Sequence, residues 1–235
     1  MFKNDSQNKV SSERIHELRL RARGMAPAQV AAILLVVQIL FGINYVVSKY
    51  VLAAFPPLVW ASIRSIVTAG LMFGFSAFFA RRHPKPTKQF FVPLVIFGLL
   101  GFAINQATFL IGLKHTTSTH SALLNTLIPI FTLVIVLFRR QEKPTFHLIF
   151  GFLSAFVGVL LLNQIEAFSF ENRTFFGDVV TIVNCVSYSI FLAYSKPFLE
   201  KYDRVWLTAY LFGVGSIALT LIALPEWRTF EVPVM

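Results

Sequence analysis

Four asparagines, Asn44, Asn105, Asn125 and Asn184, fall inside long apolar stretches of this sequence. A carboxamide offers two donors and an acceptor without net charge, so it can hold a polar or zwitterionic solute where an isolated ion is costly. At about 1.5 Å per helical residue, each asparagine lies roughly 12–15 Å from the outer boundary of a bilayer, near its midplane. The plainer use of such groups is to hold helices together, at about 0.6 kcal/mol per contact. On one helical face Gln38, Gly42, Tyr45 and Lys49 recur at i, i+4, i+7 and i+11, and Asn184, Tyr188, Phe191 and Ser195 repeat that spacing. Arg64 lies about 10 Å below the outer end of its stretch, where a guanidinium needs a partner, water or a substrate carboxylate. Trp60, one turn outward, is placed to stack on it. The expected substrate-binding set is Asn44, Tyr45, Arg64, Asn105, Asn125, Asn184 and Tyr188.

Further groups have both a functional and a plain reading. Pro129 removes the backbone bond to the carbonyl of Asn125 four residues earlier, leaving either a ligand-coordinating break or a structural kink. The run Thr116–Ser121 supplies hydroxyls for an entrance or for bonds back to its own helix. His120 has the chemistry for proton coupling, although a lone histidine near an interface also serves as an amphipathic residue. Lys49 can snorkel to the headgroups. Asp178 is expected to cap the N-terminus of its helix. Gly70–Gly74 and Ser154–Gly158 are spaced for close helix approach. Metal sites and cofactors are not expected: His115 and His120 stand five apart, the only cysteine is Cys185, and neither a phosphate loop nor a Gly-x-Ser-x-Gly elbow occurs. An enzyme is not expected.

These residues must be positioned by membrane helices. Of 235 residues, 56% are hydrophobic and 14% charged, with 26 phenylalanines, against roughly 25% charged in soluble domains. Seven stretches are long enough to span: about 29–53, 57–80, 90–113, 117–138, 146–165, 176–195 and 205–224. The net charge of +10 comes in short clusters between them, which reads as membrane orientation and not as a nucleic-acid surface. Lys and Arg number six before the first span, then none, four, one, three, one, three and one. Positive excess marks retained loops, so the N-terminus is expected in the cytoplasm and Met235 outside. Residues 12–23 form either a basic surface helix or a solvated tail.

Shifting the sequence by 146 residues lays Gln38 on Asn184, Tyr45 on Phe191 and Trp60 on Trp206. Five spans separate the copies, so the second must run in the opposite sense, as in the inverted repeats of secondary transporters. Phe41–Gly42–Ile43–Asn44–Tyr45 with Ser48–Lys49 resembles EamA-type members of the drug/metabolite transporter superfamily. So do Pro57 leading to Arg64, Gly112–Ser118 followed by Ala122–Asn125 and Pro129, Gly151 through Gly158–Leu161, and Phe176–Gly177–Asp178. The resemblance covers about residues 28–224 and lies in order and spacing. It implies a ten-helix fold of two inverted five-helix repeats that carries small metabolites, often outward across a plasma membrane. The family's acidic residue after the fourth helix corresponds to Glu142.

The expectation is an all-α integral membrane protein of about seven transmembrane helices, one complete five-helix repeat plus two helices of a second inverted repeat. A basic tail occupies 1–27, the first repeat 28–165, the partial second 176–224 and an external tail 225–235. It is expected to be truncated after the seventh helix and not to transport alone, with missing C-terminal helices or a homodimer to complete it; the alternative is a genuine compact seven-helix protein. The expected function is secondary-active export of small polar or amphipathic metabolites by alternating access, with the lipid bilayer and a small-molecule substrate as partners. The alternatives are a non-transporting structural or assembly protein and a seven-helix receptor-like protein.

Overall fold

Hydrocarbon offers a backbone amide no water, so each apolar stretch closes its hydrogen bonds internally as a helix. The computed structural model describes residues 27–79, 87–139, 145, 150–151, 153–154, 157–158 and 174–230. Six helices among these are long and apolar enough to cross a membrane: α1 (Pro27–Ala54), α2 (Pro57–Phe79), α3 (Lys88–His115), α4 (Ser118–Phe138), α5 (Phe175–Lys201) and α6 (Arg204–Thr229). The chain is an all-α integral membrane protein. Of the fifth predicted span, 146–165, the described residues Phe150, Gly151, Leu153, Ser154, Val157 and Gly158 are helical. The rest of it, the basic tail before Pro27, Glu142 and the residues after Phe230 lie outside the described residues.

The chain divides into two units, Met1–Asn44 and Tyr45–Met235. In the first, the described residues are the leading part of α1, begun by Pro27, whose missing N–H is no loss at a helix start. The second unit holds the end of α1 and all of α2 to α6. Within it α2 and α6 pack antiparallel. Glu226 accepts the Leu58 amide at one end (3.1 Å) and Ser76 donates to the Val205 carbonyl at the other (3.2 Å). Small residues on α2, namely Ala61, Ser62, Ser65, Ala69 and Ser76, are buried and let the backbones approach. The last helix outruns the expected boundary at 224. It continues through Pro225 to Thr229, placing Glu226 against the free amides at the start of α2 and Trp227 Nε1 on Ser62 Oγ (3.0 Å).

Helix α5 runs antiparallel to α3 and parallel to α4. Glycines set the spacing: a Cβ at Gly112 would stand 2.5 Å from Thr181 Oγ1, and one at Gly177 would stand 2.5 Å from the His115 carbonyl carbon. Among the described residues the expected approach at Gly70 and Gly74 is not seen, since a Cβ at either meets nothing within 4 Å. Two irregularities interrupt the neighbours of α5. In α3 the residues Leu99–Ile104 form a π-helical turn, and in α4 the helix stops at Asn125 and restarts at Ile128 with Pro129 in its first turn. Polar side chains of α5 take up the carbonyls at these places. Ser187 Oγ donates to Leu100 O (2.8 Å), Ser189 Oγ to Ile128 O (2.9 Å) and Cys185 Sγ to Leu124 O (3.3 Å). Phe90, Leu94, Phe191, Phe198, Leu207 and Leu211 form a buried cluster joining α3, α5 and α6, with Phe191 packed on Phe102 of the π turn.

Candidate functional site

Beside the π turn of α3, the break in α4 and the middle of α5, three of the four asparagines meet. Asn105 Nδ2 donates to Asn184 Oδ1 (2.6 Å), Asn184 Nδ2 donates to Asn125 Oδ1 (2.9 Å), and Asn125 Nδ2 donates to the Ser121 carbonyl (2.8 Å). Asn184 is 1% exposed. The irregular turns position this chain: the π segment ends at Ile104, immediately before Asn105, and α4 stops at Asn125. Asn105 and Asn125 therefore stand at the ends of helical segments, where neighbouring backbone groups are not all committed to the ladder, and Asn184 reaches both from the middle of α5. The carbonyl that Pro129 releases belongs to one of these asparagines.

The other expected residues are placed differently. Asn44 is the last residue of the first unit, on α1. Tyr45 lies edge-on to Phe109 with ring centroids 5.3 Å apart, packed against a cluster that includes Leu110, Leu113 and Leu219. Tyr188 stacks on Phe191 (5.7 Å). Trp60 leans on Phe55 (6.2 Å) and does not cover Arg64, whose guanidinium has no hydrogen bond or ion pair among the described residues. Gln106 Oε1, next to the asparagine chain in sequence, is buried without a partner among the described residues, as are Trp60 Nε1 and Ser121 Oγ. Gln106 was not singled out from sequence, although an amide beside Asn105 was a signal available there.

A second polar group gathers where α3 ends and α4 and α5 begin. The N-cap position of α5 is Thr174, and Asp178 sits one turn inside, turned toward its neighbours. It is 9% exposed and accepts a hydrogen bond from Thr116 Oγ1 (2.5 Å). His120 Nδ1 lies 3.6 Å from its other oxygen. The capping role expected of Asp178 is thus replaced by contacts to α3 and α4. Thr117 does cap, its hydroxyl accepting the His120 amide (3.1 Å). Lys49 does not snorkel: its ammonium donates to the carbonyls of Leu113 (2.7 Å), Lys114 (3.1 Å) and Thr116, at the negative end of the α3 dipole. Among the described residues no cluster of three or more metal-ligating side chains occurs.

Residues 29–164 match the EamA-like transporter family. An "Uncharacterized transporter" of Archaeoglobus fulgidus is 28% identical over 184 residues, 77% of this chain and 62% of its own. The "Uncharacterized transporter YyaM" of Bacillus subtilis is 23% identical over 189 residues, 78% of this chain and 61% of its own. A WAT1-related protein of Arabidopsis thaliana is 24% identical over 207 residues, 76% of this chain and 55% of its own. The chain spans about three-fifths of the length of the first two. No solved structure matches it significantly.

Proposed function

The chain belongs to the EamA-like transporter family, and from that premise we propose that it serves the transport of small polar or amphipathic metabolites at the level where Asn105, Asn125 and Asn184 meet. The observation that carries this reading is the amide chain itself: three neutral hydrogen-bonding side chains, drawn from three helices, lie at two helix irregularities. A solute with its own donors and acceptors can replace amide–amide bonds one for one, so entry need not orphan a buried group. The break in α4 and the π turn in α3 are places where such helices can bend as access alternates. Arg64 and Gln106 hold groups without partners among the described residues, and Arg64 favours a solute that carries a carboxylate. Tyr45 and Tyr188 supply aromatic walls. Outward movement across a plasma membrane, from a cytoplasmic N-terminus, completes the reading.

The test is a substrate panel. Purified 235-residue chain is screened for thermal stabilisation by amino acids, organic acids, nucleosides and sugars, and each stabilising compound is then assayed for flux in vesicles. At least one compound is expected to raise the melting temperature and, once the chain is paired with a second copy or extended by the missing helices, to be transported. Alanine at Asn105, Asn125 or Asn184 is expected to cut flux about tenfold, the equivalent of about 1.4 kcal/mol, by more than it cuts expression. A well-folded chain that neither binds nor moves any compound of the panel would overturn the proposal and favour a purely structural role for the amides.

A further inference from the structure

Among the described residues there are four acidic side chains, Asp178, Glu200, Asp203 and Glu226. Glu200 and Asp203 lie at the junction of α5 and α6, and Glu226 accepts the Leu58 amide. Asp178 alone is a buried carboxylate held between helices, and an ionisable group so placed in a membrane protein calls for a named partner and a use. Its partners are Thr116 on the α3–α4 junction and His120 on α4, so one carboxylate touches the segments that close this end of the bundle. The same end is tightened by the Gly112–Gly177 approach and by Lys49 on the last carbonyls of α3.

We propose that Asp178 and His120 form a proton-binding site whose occupancy controls whether α3, α4 and α5 are clasped at this end. With a proton on the imidazole, His120 and Asp178 carry opposite charges 3.6 Å apart and draw α4 onto α5. Without it the carboxylate keeps only Thr116, and that attraction is lost. His120 is a quarter exposed while Asp178 is covered, so the proton has a route from water to the imidazole. The other charged or titratable groups near the pair are Lys49, Lys114 and His115. Lys49 is engaged with the α3 carbonyls and His115 lies edge-on to Phe176 (5.1 Å); Lys114 is exposed. Of these, only the pair sets an imidazole against a carboxylate across two helices, so a change of charge there acts directly on the α4–α5 contact. An imidazole is suited to this because its charge changes within the range of about pH 5–8.

The test reads helix separation and no flux, so it stands or falls apart from the transport proposal. Spin labels are placed at Thr119→Cys on α4 and Val179→Cys on α5, both exposed, in a Cys185→Ser background in lipid nanodiscs. Dipolar broadening is compared at about pH 8 and about pH 5.5, across the range in which an imidazole changes charge. The parent is expected to show a more separated component at the higher pH that disappears at the lower. Asp178→Asn, which still accepts from Thr116, and His120→Gln are each expected to give one spectrum at both pH values, with Asp178→Glu restoring the dependence. A parent spectrum independent of pH, or dependence that survives in both folded variants, would overturn the proposal. Folding of each variant is checked by helical circular dichroism and a single elution peak; if Asp178→Asn does not fold, the His120→Gln spectrum decides alone.

Discussion

Asn184 is the middle link of a three-amide chain, and that position predicts how its loss should be felt. Replacing it with alanine strands the Asn105 donor and leaves the Asn125 acceptor only the long Cys185 Sγ contact (3.8 Å), whereas Asn105→Ala strands one group on Asn184. A buried polar group left unpaired costs about 1–3 kcal/mol, somewhat less in membranes where other partners are found. Asn184→Ala should therefore destabilise the protein more than Asn105→Ala, and the double variant by less than the sum. Unfolding in mixed micelles measures the coupling, expected at about 0.5–1.5 kcal/mol; strictly additive losses would mean that the amides do not act as a chain. Depth counting made the common level of Asn105, Asn125 and Asn184 legible, because helix rise is fixed by the backbone. It could not say which amide donates to which, nor that Lys49 and Asp178 would turn toward neighbouring helices. Those outcomes depend on which elements are adjacent, and a side chain at a helix end can reach solvent, its own helix or a neighbour at similar cost.

At the scale of elements, the helix stretches and the break at Pro129 were legible, since apolar length and a missing N–H act locally. The π turn at Leu99–Ile104 and the approach of α3 to α5 were not. Small-residue spacing says only that helices can approach, which is why Gly70–Gly74 and Gly112 look alike in the sequence and differ in the structure. A paired substitution separates the two cases. In Gly177→Ala the new methyl would sit 2.5 Å from the His115 carbonyl carbon and 2.6 Å from the Thr116 nitrogen, backbone atoms that cannot swing aside. Overpacking of this kind costs about 1–3 kcal/mol. Gly70→Ala meets nothing within 4 Å and removes the entropic cost of a helical glycine, about 0.5–1 kcal/mol. Thermal unfolding should thus show a lower midpoint for Gly177→Ala and an unchanged or higher one for Gly70→Ala. Equal effects would mean that the glycine contact between α3 and α5 does not set their spacing.

For the whole molecule, the helix directions tie the charge pattern to two ends of one bundle. Because α4 and α5 are parallel while α2 and α6 are antiparallel, the starts of α2, α4 and α5 and the ends of α3 and α6 share one end. That end carries the flanking cations Lys114 and Arg228, with Lys49 turned onto α3. The opposite end carries Lys88, Arg139, Lys196, Lys201 and Arg204, and there Arg139 is fixed against α5, donating to the Ala193 carbonyl (3.0 Å) with its guanidinium 3.8 Å from the Tyr194 ring. From the bias toward the second end we propose that this end lies in the cytoplasm, by the preference of cations for the untranslocated side. In a Cys185→Ser background, Lys114→Cys should react with an impermeant maleimide added to intact cells, while Lys201→Cys should react only after the membrane is opened. The two reporters belong to the same packed unit, so they must report opposite sides. Protection of Lys114→Cys with labelling of Lys201→Cys would reverse the orientation. Partial labelling of both in sealed cells would mean that the chain inserts in both senses, the cation difference being too small to choose, and would remove the basis for assigning the Asp178–His120 end to the outer face.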